Sequence, residues 1–144
     1  MLVQQILKSK GDSAVITVTP QTLVSEAAQI LAERRIGGVI VSKTGETADG
    51  IVSERDIVRS LAVRGVNCMT ERVSELMTRN PVCCSRQDTS DAVLARTTEG
   101  RFRHMPVIED GKLVGIVTIG DVVKARLEEL SMEKTALEGM IMGY

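Results

Sequence analysis

The 144-residue chain is poor in aromatic side chains, with one Tyr, one Phe and no Trp. Proteins that bind single-stranded nucleic acid or RNA commonly stack the bases on aromatic side chains. Broad contact with a phosphate backbone also needs a basic surface, whereas the net charge is −1 and no basic run exceeds two residues. Nucleic acid is therefore not an expected partner, and aliphatic side chains must form the core.

Cysteines are also few, and their spacing excludes two kinds of site. The chain has three, Cys68, Cys83 and Cys84. Adjacent cysteines rarely bridge each other, and no pair has the CxxC spacing of a zinc site. A reduced, cytoplasmic location is therefore expected. Because the N-terminus carries neither a long apolar run nor a signal-peptide pattern, no membrane partner is expected either.

Two similar phrases stand out in what remains. Residues 50–59 read GIVSERDIVR and residues 115–124 read GIVTIGDVVK, so five of ten positions are identical at an offset of 65 residues. Each half alone is close to the lower size limit for independent folding. The duplication therefore predicts two units packed together, with clefts between them where small molecules tend to bind.

The apolar pattern gives both halves the same order of elements, β-α-β-β-α. We expect strands at residues 14–18, 39–41, 50–53, 81–85, 105–108 and 113–118. We expect helices at residues 25–36, after Asp56, around 73–77, at 90–100 and from Asp121. The predicted fold class is α+β, with two repeats related by a pseudo-twofold axis, their sheets face to face and their helices outside.

These elements also predict where the parts of the chain begin and end. The expected parts are a first repeat at 1–64, a connecting segment at 65–80, a second repeat at 81–128 and a C-terminal helical tail at 129–144. The Asp110-Gly111 pair predicts a tight hairpin turn in the second repeat.

Each phrase places a hydroxyl and an aspartate where a strand ends and a helix begins. Ser53-x-x-Asp56 and Thr118-x-x-Asp121 have the spacing of a capping box, in which the two side chains bond the first helical N–H groups. The same groups also suit a nucleoside phosphate, because helix N-termini attract phosphate and a carboxylate can accept ribose hydroxyls. From the residues alone, both interpretations stay open.

The duplicated unit, with GIVSERD and GIVTIGD in register, resembles a pair of CBS domains (the cystathionine β-synthase-type repeat, or Bateman module). The resemblance extends over roughly residues 1–128 and includes VSELMTRNPV and FRHMPVIEDGKLVGIVTIGDV. It implies a non-catalytic sensor that binds AMP or ATP between the repeats, with NAD(H) or S-adenosylmethionine as other possible ligands. It also implies a homodimer that regulates another protein in trans.

The resemblance assigns ligand-binding roles to named positions. Asp56 and Asp121 would hold ribose hydroxyls, and Ser53 and Thr118 would bond ribose or phosphate. The backbone at Thr17–Val18 and at Cys83 would meet the adenine. The turns that would line the base and the phosphates are Gly37–Gly38 and His104–Met105–Pro106.

Two departures from the family pattern distinguish the halves. The first repeat lacks the proline that precedes Val107 in the second, and Ile119-Gly120 replaces Glu54-Arg55. We therefore expect two clefts of unequal affinity, with Gly120 at the second and Arg55 at the first. Arg55 and Arg103 are either solvated surface cations or phosphate ligands, and we predict the second.

A catalytic role for His104 lacks the groups it would need. The sequence holds no recognisable nucleophile, orienting group or metal cluster for it. Neighbouring arginines also disfavour protonation of the imidazole, which makes it a poorer base. An enzyme is therefore not expected.

The C-terminal tail continues an apolar stripe beyond the second repeat. The stripe consists of Val123, Leu127, Leu130, Leu137 and Ile141. Packing on the chain's own sheet is one interpretation, but that sheet already has two helices. We therefore expect the tail to pair with a second subunit. Because capping alone would explain the two phrases, a ligand-free interaction or scaffold module remains the alternative to a sensor.

Overall fold

Each half of the chain encloses its own aliphatic core, and the helices and strands lie in the order expected from the repeat. The computed structural model describes residues 1–11 and 15–142. Its helices are α1 (Val3–Ser9), α2 (Val24–Arg34), α3 (Glu54–Arg64), α4 (Ser90–Gly100) and α5 (Ile119–Ile141). Its strands are β1 (Thr17–Val18), β2 (Gly38–Val41), β3 (Gly50–Ser53), β4 (Thr78–Arg79), β5 (His104–Glu109) and β6 (Lys112–Thr118).

The first half is built on a sheet with the order β1-β2-β3-β4. Strand β1 is parallel to β2, and the remaining neighbours are antiparallel. Strands β2 and β3 are buried along almost their whole length, with Val39, Ile40 and Val52 inaccessible to solvent. β-branched residues suit such strands because they pack well on a pleated surface. Helix α2 covers this sheet through Val24, Ala27 and Leu31.

The second half is built on the antiparallel pair β5-β6. Its hairpin turns at Asp110 and Gly111, whose φ angles are +50° and +76°, as the Asp-Gly pair predicts. Apolar residues of both strands meet helices α4 and α5. The buried set consists of Val93, Met105, Val107, Val117, Val122 and Ala125. The prediction of an α+β fold with two related repeats is confirmed.

The strand expected at 81–85 is much shorter than predicted. It is reduced to one parallel bridge, in which Cys84 N–H donates to Pro106 O at 2.9 Å and Ile108 N–H donates to Cys84 O at 2.8 Å. Pairing stops there because Ser85 N–H donates to Asp88 Oδ2 at 2.8 Å and begins a turn. Strand β1 is likewise limited to Thr17–Val18, and the expected residue Ala14 lies outside the described residues.

The segments that precede the two repeats pack across the molecule. Helix α1 contributes Val3 and Ile6 to the core of the second half, although the sequence interpretation grouped residues 1–64 as the first repeat. The connecting segment, expected to hold a helix at 73–77, forms a 3-10 turn at Val73–Glu75 and places Val73 in the first core. The predicted part boundaries otherwise stay a prediction. No helix in the described residues is long and apolar enough to cross a membrane.

Candidate functional site

Two clefts lie between the halves, and each combines the hydroxyl–aspartate phrase of one half with the opposite half. Cleft A, of about 370 Å³, is lined from the first half by Gly37, Ile51, Ser53, Glu54, Arg55, Asp56 and Arg59, and from the rest of the chain by Thr78, Asn80, Pro81, Val82 and residues 100–104. Cleft B, of about 440 Å³, is lined by Leu7, Lys10, Gly11, Val15, Ile16, residues 35–38, His104, residues 114–116, Thr118 and Asp121. This exchange of lining residues is what a pseudo-twofold axis between the halves produces.

A capping box is present at cleft A, as the first interpretation predicted. Ser53 N–H donates to Asp56 Oδ2 at 2.8 Å, and Asp56 N–H donates to Ser53 Oγ at 3.3 Å. The Ser53 hydroxyl also donates to the same carboxylate oxygen at 3.0 Å. All of these carboxylate contacts are on Oδ2, so that within the described residues Oδ1 remains available to a ligand.

Cleft B has the same box with one addition. Thr118 N–H donates to Asp121 Oδ2 at 2.9 Å, and Asp121 N–H donates to Thr118 Oγ1 at 3.1 Å. The ammonium group of Lys10 donates to the same Oδ2 at 2.8 Å. Capping and ligand binding are therefore compatible at both aspartates. Of these two, Asp121 alone has a cation partner among the described residues.

Four arginines line cleft A: Arg55, Arg59, Arg101 and Arg103. Side-chain bonds to carboxylates or carbonyls belong to other arginines in the described structure, namely Arg64, Arg72, Arg79, Arg96 and Arg126. Against these four stand two carboxylates, Glu54 and Asp56. The described lining of cleft A therefore has an excess of two positive charges, and its guanidinium groups, which have no partner in that part of the chain, can bind an anion bidentately.

Arg101 is held in an unusual backbone conformation at the rim of cleft A. It follows α4 with a φ of +58°, in the left-handed region that favours glycine. Arg35 occupies the matching position after α2, with a φ of +53°, and lines cleft B. Each arginine ends its helix in the left-handed conformation typical of a C-terminal cap. Both repeats therefore place a cation at the same point beside a cleft.

His104 is the point where the clefts meet, because its side chain lines both. Burial lowers the pKa of His104 below its ordinary value of 6.5, and Arg103 lowers it further, while Glu54 and Asp121 oppose this shift. The imidazole is therefore held mainly neutral at neutral pH. No group of three His, Cys, Asp or Glu side chains that could hold a metal is found in the part of the chain described.

Most of the residues predicted from the sequence come together at the two clefts. Ser53, Arg55, Asp56 and Arg103 lie at cleft A, and Gly38, Thr118 and Asp121 lie at cleft B. Two more, Gly37 and His104, lie at both. The repeat and the family resemblance therefore pointed to residues that line clefts, and their binding of a ligand stays a prediction.

Six predicted residues lie away from both clefts. Thr17 and Val18 line a separate shallow depression beside Ser42, because they pair with Ile40 and Val41 inside the sheet. The residues just before that strand, Val15 and Ile16, line cleft B instead.

The second half shows the same displacement toward the N-terminal side. Pro81 and Val82 line cleft A, whereas the Cys83 thiol donates to Pro81 O at 3.3 Å. Met105 and Pro106 are buried within the second half, and Gly120 is exposed on the first turn of α5. The chain therefore meets each cleft before it enters the sheet.

Several cleft residues were not anticipated from the sequence. Arg59 lies one helical turn beyond Asp56, a spacing that could have indicated it. Lys10 carries no local signal, since it is 111 residues from Asp121 along the chain.

Comparison with known proteins agrees with this geometry. The family model described as CBS domain matches residues 11–63 and 73–128. A crystal structure of the CBS-domain containing protein ATU1752 from Agrobacterium tumefaciens is 43% identical, with a TM-score of 0.83, and the match covers 88% of this chain and 99% of that one.

Two further solved structures contain adenosine derivatives. CBSX2, solved in complex with AMP, is 31% identical with a TM-score of 0.67, over 79% of this chain and 88% of that one. The CBS domain pair of MJ0100, solved with 5′-methylthioadenosine and S-adenosyl-L-methionine, is 26% identical with a TM-score of 0.78, over 90% of this chain and 98% of that one.

Proposed function

This chain belongs to the CBS domain family, and on that premise we propose that it is a non-catalytic sensor that binds an adenine nucleotide in cleft A. The observation that carries the proposal is the set of four arginines that line cleft A with Asp56 and have no carboxylate or carbonyl partner among the described residues. Solved relatives with AMP and with S-adenosyl-L-methionine support the adenosine part of the ligand. The arginines support a phosphate-bearing one.

Each part of a nucleotide has a chemically matched group in cleft A. The carboxylate of Asp56 accepts hydrogen bonds from the ribose hydroxyls at Oδ1, while Oδ2 stays hydrogen-bonded to Ser53. The start of α3 favours negative charge through its partly positive N–H groups. Arg55 and Arg103 bind phosphate oxygens, and Pro81 and Val82 offer an apolar surface to the base.

The charge of cleft A ranks the candidate ligands by expected affinity. Its excess of two positive charges attracts AMP, ATP and NAD(H), which are anions. S-adenosylmethionine carries a sulfonium charge that this cleft repels. AMP and ATP are therefore the proposed ligands, NAD(H) follows, and S-adenosylmethionine is the weakest.

The proposed sensor acts by changing the population of two arrangements rather than by chemistry. A nucleotide held between the halves favours the arrangement in which both sides of the cleft contact it. A regulated protein then reads that arrangement in trans. We further propose a homodimer through α5, because Leu127, Leu130 and Leu137 lie exposed on its surface. The cytoplasmic location stays a prediction from the reduced cysteines.

Calorimetric titration of the protein with AMP, ATP, NADH and S-adenosylmethionine tests the proposal. We expect AMP and ATP to bind more tightly than S-adenosylmethionine, and Asp56→Ala to remove the tighter site. Arg103→Ala should weaken AMP binding by roughly tenfold or more, because a charge-assisted hydrogen bond contributes about 1.5–3 kcal/mol. Arg86→Ala is the matched control, since Arg86 is exposed and lies outside both clefts.

The satisfied capping boxes favour one alternative function, a ligand-free scaffold. In that case none of the four compounds binds more tightly than about 1 mM, and Asp56→Ala changes only the stability of α3. Mass spectrometry of small molecules released from the purified protein separates the two functions independently, because a scaffold releases no nucleotide.

A further inference from the structure

We propose that Lys10 is an internal competitor for the ligand site at Asp121, which keeps cleft B in a low-affinity state until the lysine leaves. The inference rests on the proposed nucleotide-binding function and concerns the second of the two clefts. It assigns a role to the N-terminal helix, which the binding of a nucleotide at cleft A does not involve.

The position of the Lys10 ammonium group carries the inference. Its Nζ atom lies 2.8 Å from Asp121 Oδ2 and 2.8 Å from the main-chain oxygen of Ile116. Both partners line cleft B. A nucleotide that reaches Asp121 therefore meets a carboxylate that already has a cation bound to it.

Lys10 is held in place by the packing of α1 on the second half. Val3 and Ile6 are buried in that core, and Val3 N–H and Gln4 N–H donate to Asp88 O and Arg86 O at 2.9 and 3.0 Å. Lys10 caps the end of the helix. Its backbone is thus fixed beside β6, so that only the side chain needs to move to leave Asp121.

Cleft A provides an internal comparison, because Asp56 has no cation partner among the residues described. Its second donor is the neutral hydroxyl of Ser53 at 3.0 Å, which can rotate toward a ligand. At Asp121 the corresponding donor is an ammonium group, so that this bond joins two opposite charges rather than a charge and a hydroxyl dipole. The described contacts on the Asp121 side chain are also at Oδ2, so a ribose hydroxyl can reach Oδ1 there as it can at Asp56. Lys10 opposes binding because it neutralises the charge of the carboxylate that would accept hydrogen bonds from the ribose, which the Ser53 hydroxyl does not.

The size of the effect follows from the partial exposure of the pair. The side chains of Lys10 and Asp121 are 33% and 23% exposed. Ion pairs in such positions contribute up to about 1 kcal/mol, which corresponds to about a fivefold change in affinity. Removing the Lys10 charge should thus increase the affinity of cleft B for a nucleotide by about that factor.

Reciprocity gives the lysine a second consequence. If Lys10 lowers the affinity of cleft B for a nucleotide, then the nucleotide lowers the affinity of Lys10 for Asp121 by the same factor. Filling cleft B therefore loosens the C-terminal end of α1. The N-terminal helix becomes an element whose attachment reports whether cleft B is filled.

The test isolates each cleft by removing the aspartate of the other. Asp56→Ala leaves cleft B, and AMP is titrated into this protein with and without Lys10→Met, a substitution that keeps most of the side-chain length. We expect about fivefold tighter AMP binding with Lys10→Met. Lys8→Met is the matched control, because Lys8 is an exposed lysine of the same helix and lies outside cleft B.

Two results would overturn the role of Lys10. The first is AMP binding that is undetectable in the Asp56→Ala protein, or equally tight with and without Lys10→Met, because Lys10 then does not compete with the ligand. The second is weaker AMP binding after Lys10→Met, which would make Lys10 a phosphate ligand. Hydrogen exchange provides a second readout, since AMP should speed exchange at Ile6 to Lys10 in the Asp56→Ala protein. Asp121→Ala, which leaves cleft A, tests the proposed function itself, and that function fails if this protein does not bind AMP. If Asp121→Ala binds AMP while Lys10→Met has no effect in the Asp56→Ala protein, the proposed function stands and only the role of Lys10 fails.

Discussion

The imidazole of His104 lies directly against Gly38. A β-carbon placed on Gly38 would be 3.0 Å from both Cε1 and Nε2 of the ring. Gly38 begins β2 in the first half and His104 begins β5 in the second. The contact therefore joins the two halves at the place where both clefts meet, and the absence of a side chain at residue 38 permits it.

Gly38→Ala should destabilise the protein by about 1–3 kcal/mol, the usual effect of adding a methyl group to a filled space. The neighbouring ring must shift, and both clefts change shape with it. Urea unfolding gives the free energy difference. Gly139→Ala is the control, because nothing lies within 4 Å of a β-carbon there and alanine favours the helix.

Combining Gly38→Ala with His104→Ala identifies the cause of that effect. We expect the two changes to be non-additive by more than 0.5 kcal/mol, since they act on one contact. Strictly additive energies would mean that Gly38 is required for another reason, such as the backbone pairing of Gly38 with Ser53.

The pH dependence of stability should contain a contribution from His104. Burial lowers the pKa of this imidazole below 6.5 in the folded protein, so the unfolded chain binds a proton first as the pH falls. The stability that His104 contributes is therefore present above about pH 6.5 and is lost below it, at no more than about 1.4 kcal/mol per pH unit.

Urea unfolding at about pH 7.5 and pH 5 measures this effect, in a range above most carboxyl pKa values. From about pH 7.5 to about pH 5, the free energy of unfolding should fall further in the native protein than in His104→Gln. Equal losses in the two proteins would show that the imidazole is not shielded from solvent in solution.

Both capping boxes should contribute to stability whether or not a ligand binds. Ser53→Ala and Thr118→Ala each remove the side-chain acceptor at the start of a helix, for which a cost of about 1 kcal/mol is expected. Ser131→Ala is the control within a helix, since the Ser131 side chain is exposed. A loss at only one of the two sites would contradict the equivalence of the boxes.

The exposed stripe of α5 predicts that the protein is a dimer. Leu137 and Ile141 are 58% and 84% exposed, and the helix extends to residue 141. Deleting residues 131–144 should convert the dimer to a monomer in light scattering, because this surface would lose its contact with a second copy. An unchanged mass after the deletion contradicts pairing through the tail.

The three cysteines should be unreactive in the folded protein. Burial, with a contribution from Asp88, raises the pKa of Cys84 to about 12, and burial raises the pKa of Cys83. Cys68 is fully buried. Since the thiolate is the reactive form, a disulfide reagent at pH 8 should react with all three only after unfolding. Fast reaction of one thiol in the native protein would indicate that this cysteine becomes open to solvent.

The fold could be predicted from the sequence wherever the signal was local. Apolar periodicity placed α4 at residues 90–100, and the Asp-Gly pair placed the hairpin turn at Asp110 and Gly111. The two aspartates could also be found, because each phrase repeats at the same strand-to-helix junction. These features depend on neighbours within a few residues.

Features that depend on distant contacts could not be predicted. Nothing near Lys10 in the sequence points to Asp121, and the cation became part of cleft B only through the packing of α1 on the second half. The lining at Val15 and Val82 was missed for a similar reason. Where a chain leaves a sheet depends on how many residues pair with the neighbouring strand, and both opening strands pair over fewer residues than predicted.

The exchange of the segments before the repeats interlocks the two halves. A cut at Gly65 would leave α1 on the fragment 1–64, although Val3 and Ile6 lie in the core of the other fragment. It would leave Val73 on the second fragment, although that side chain lies in the core of the first. Two pieces produced by such a cut would remain associated, because neither can separate without exposing a buried side chain of its own and opening the core of the other.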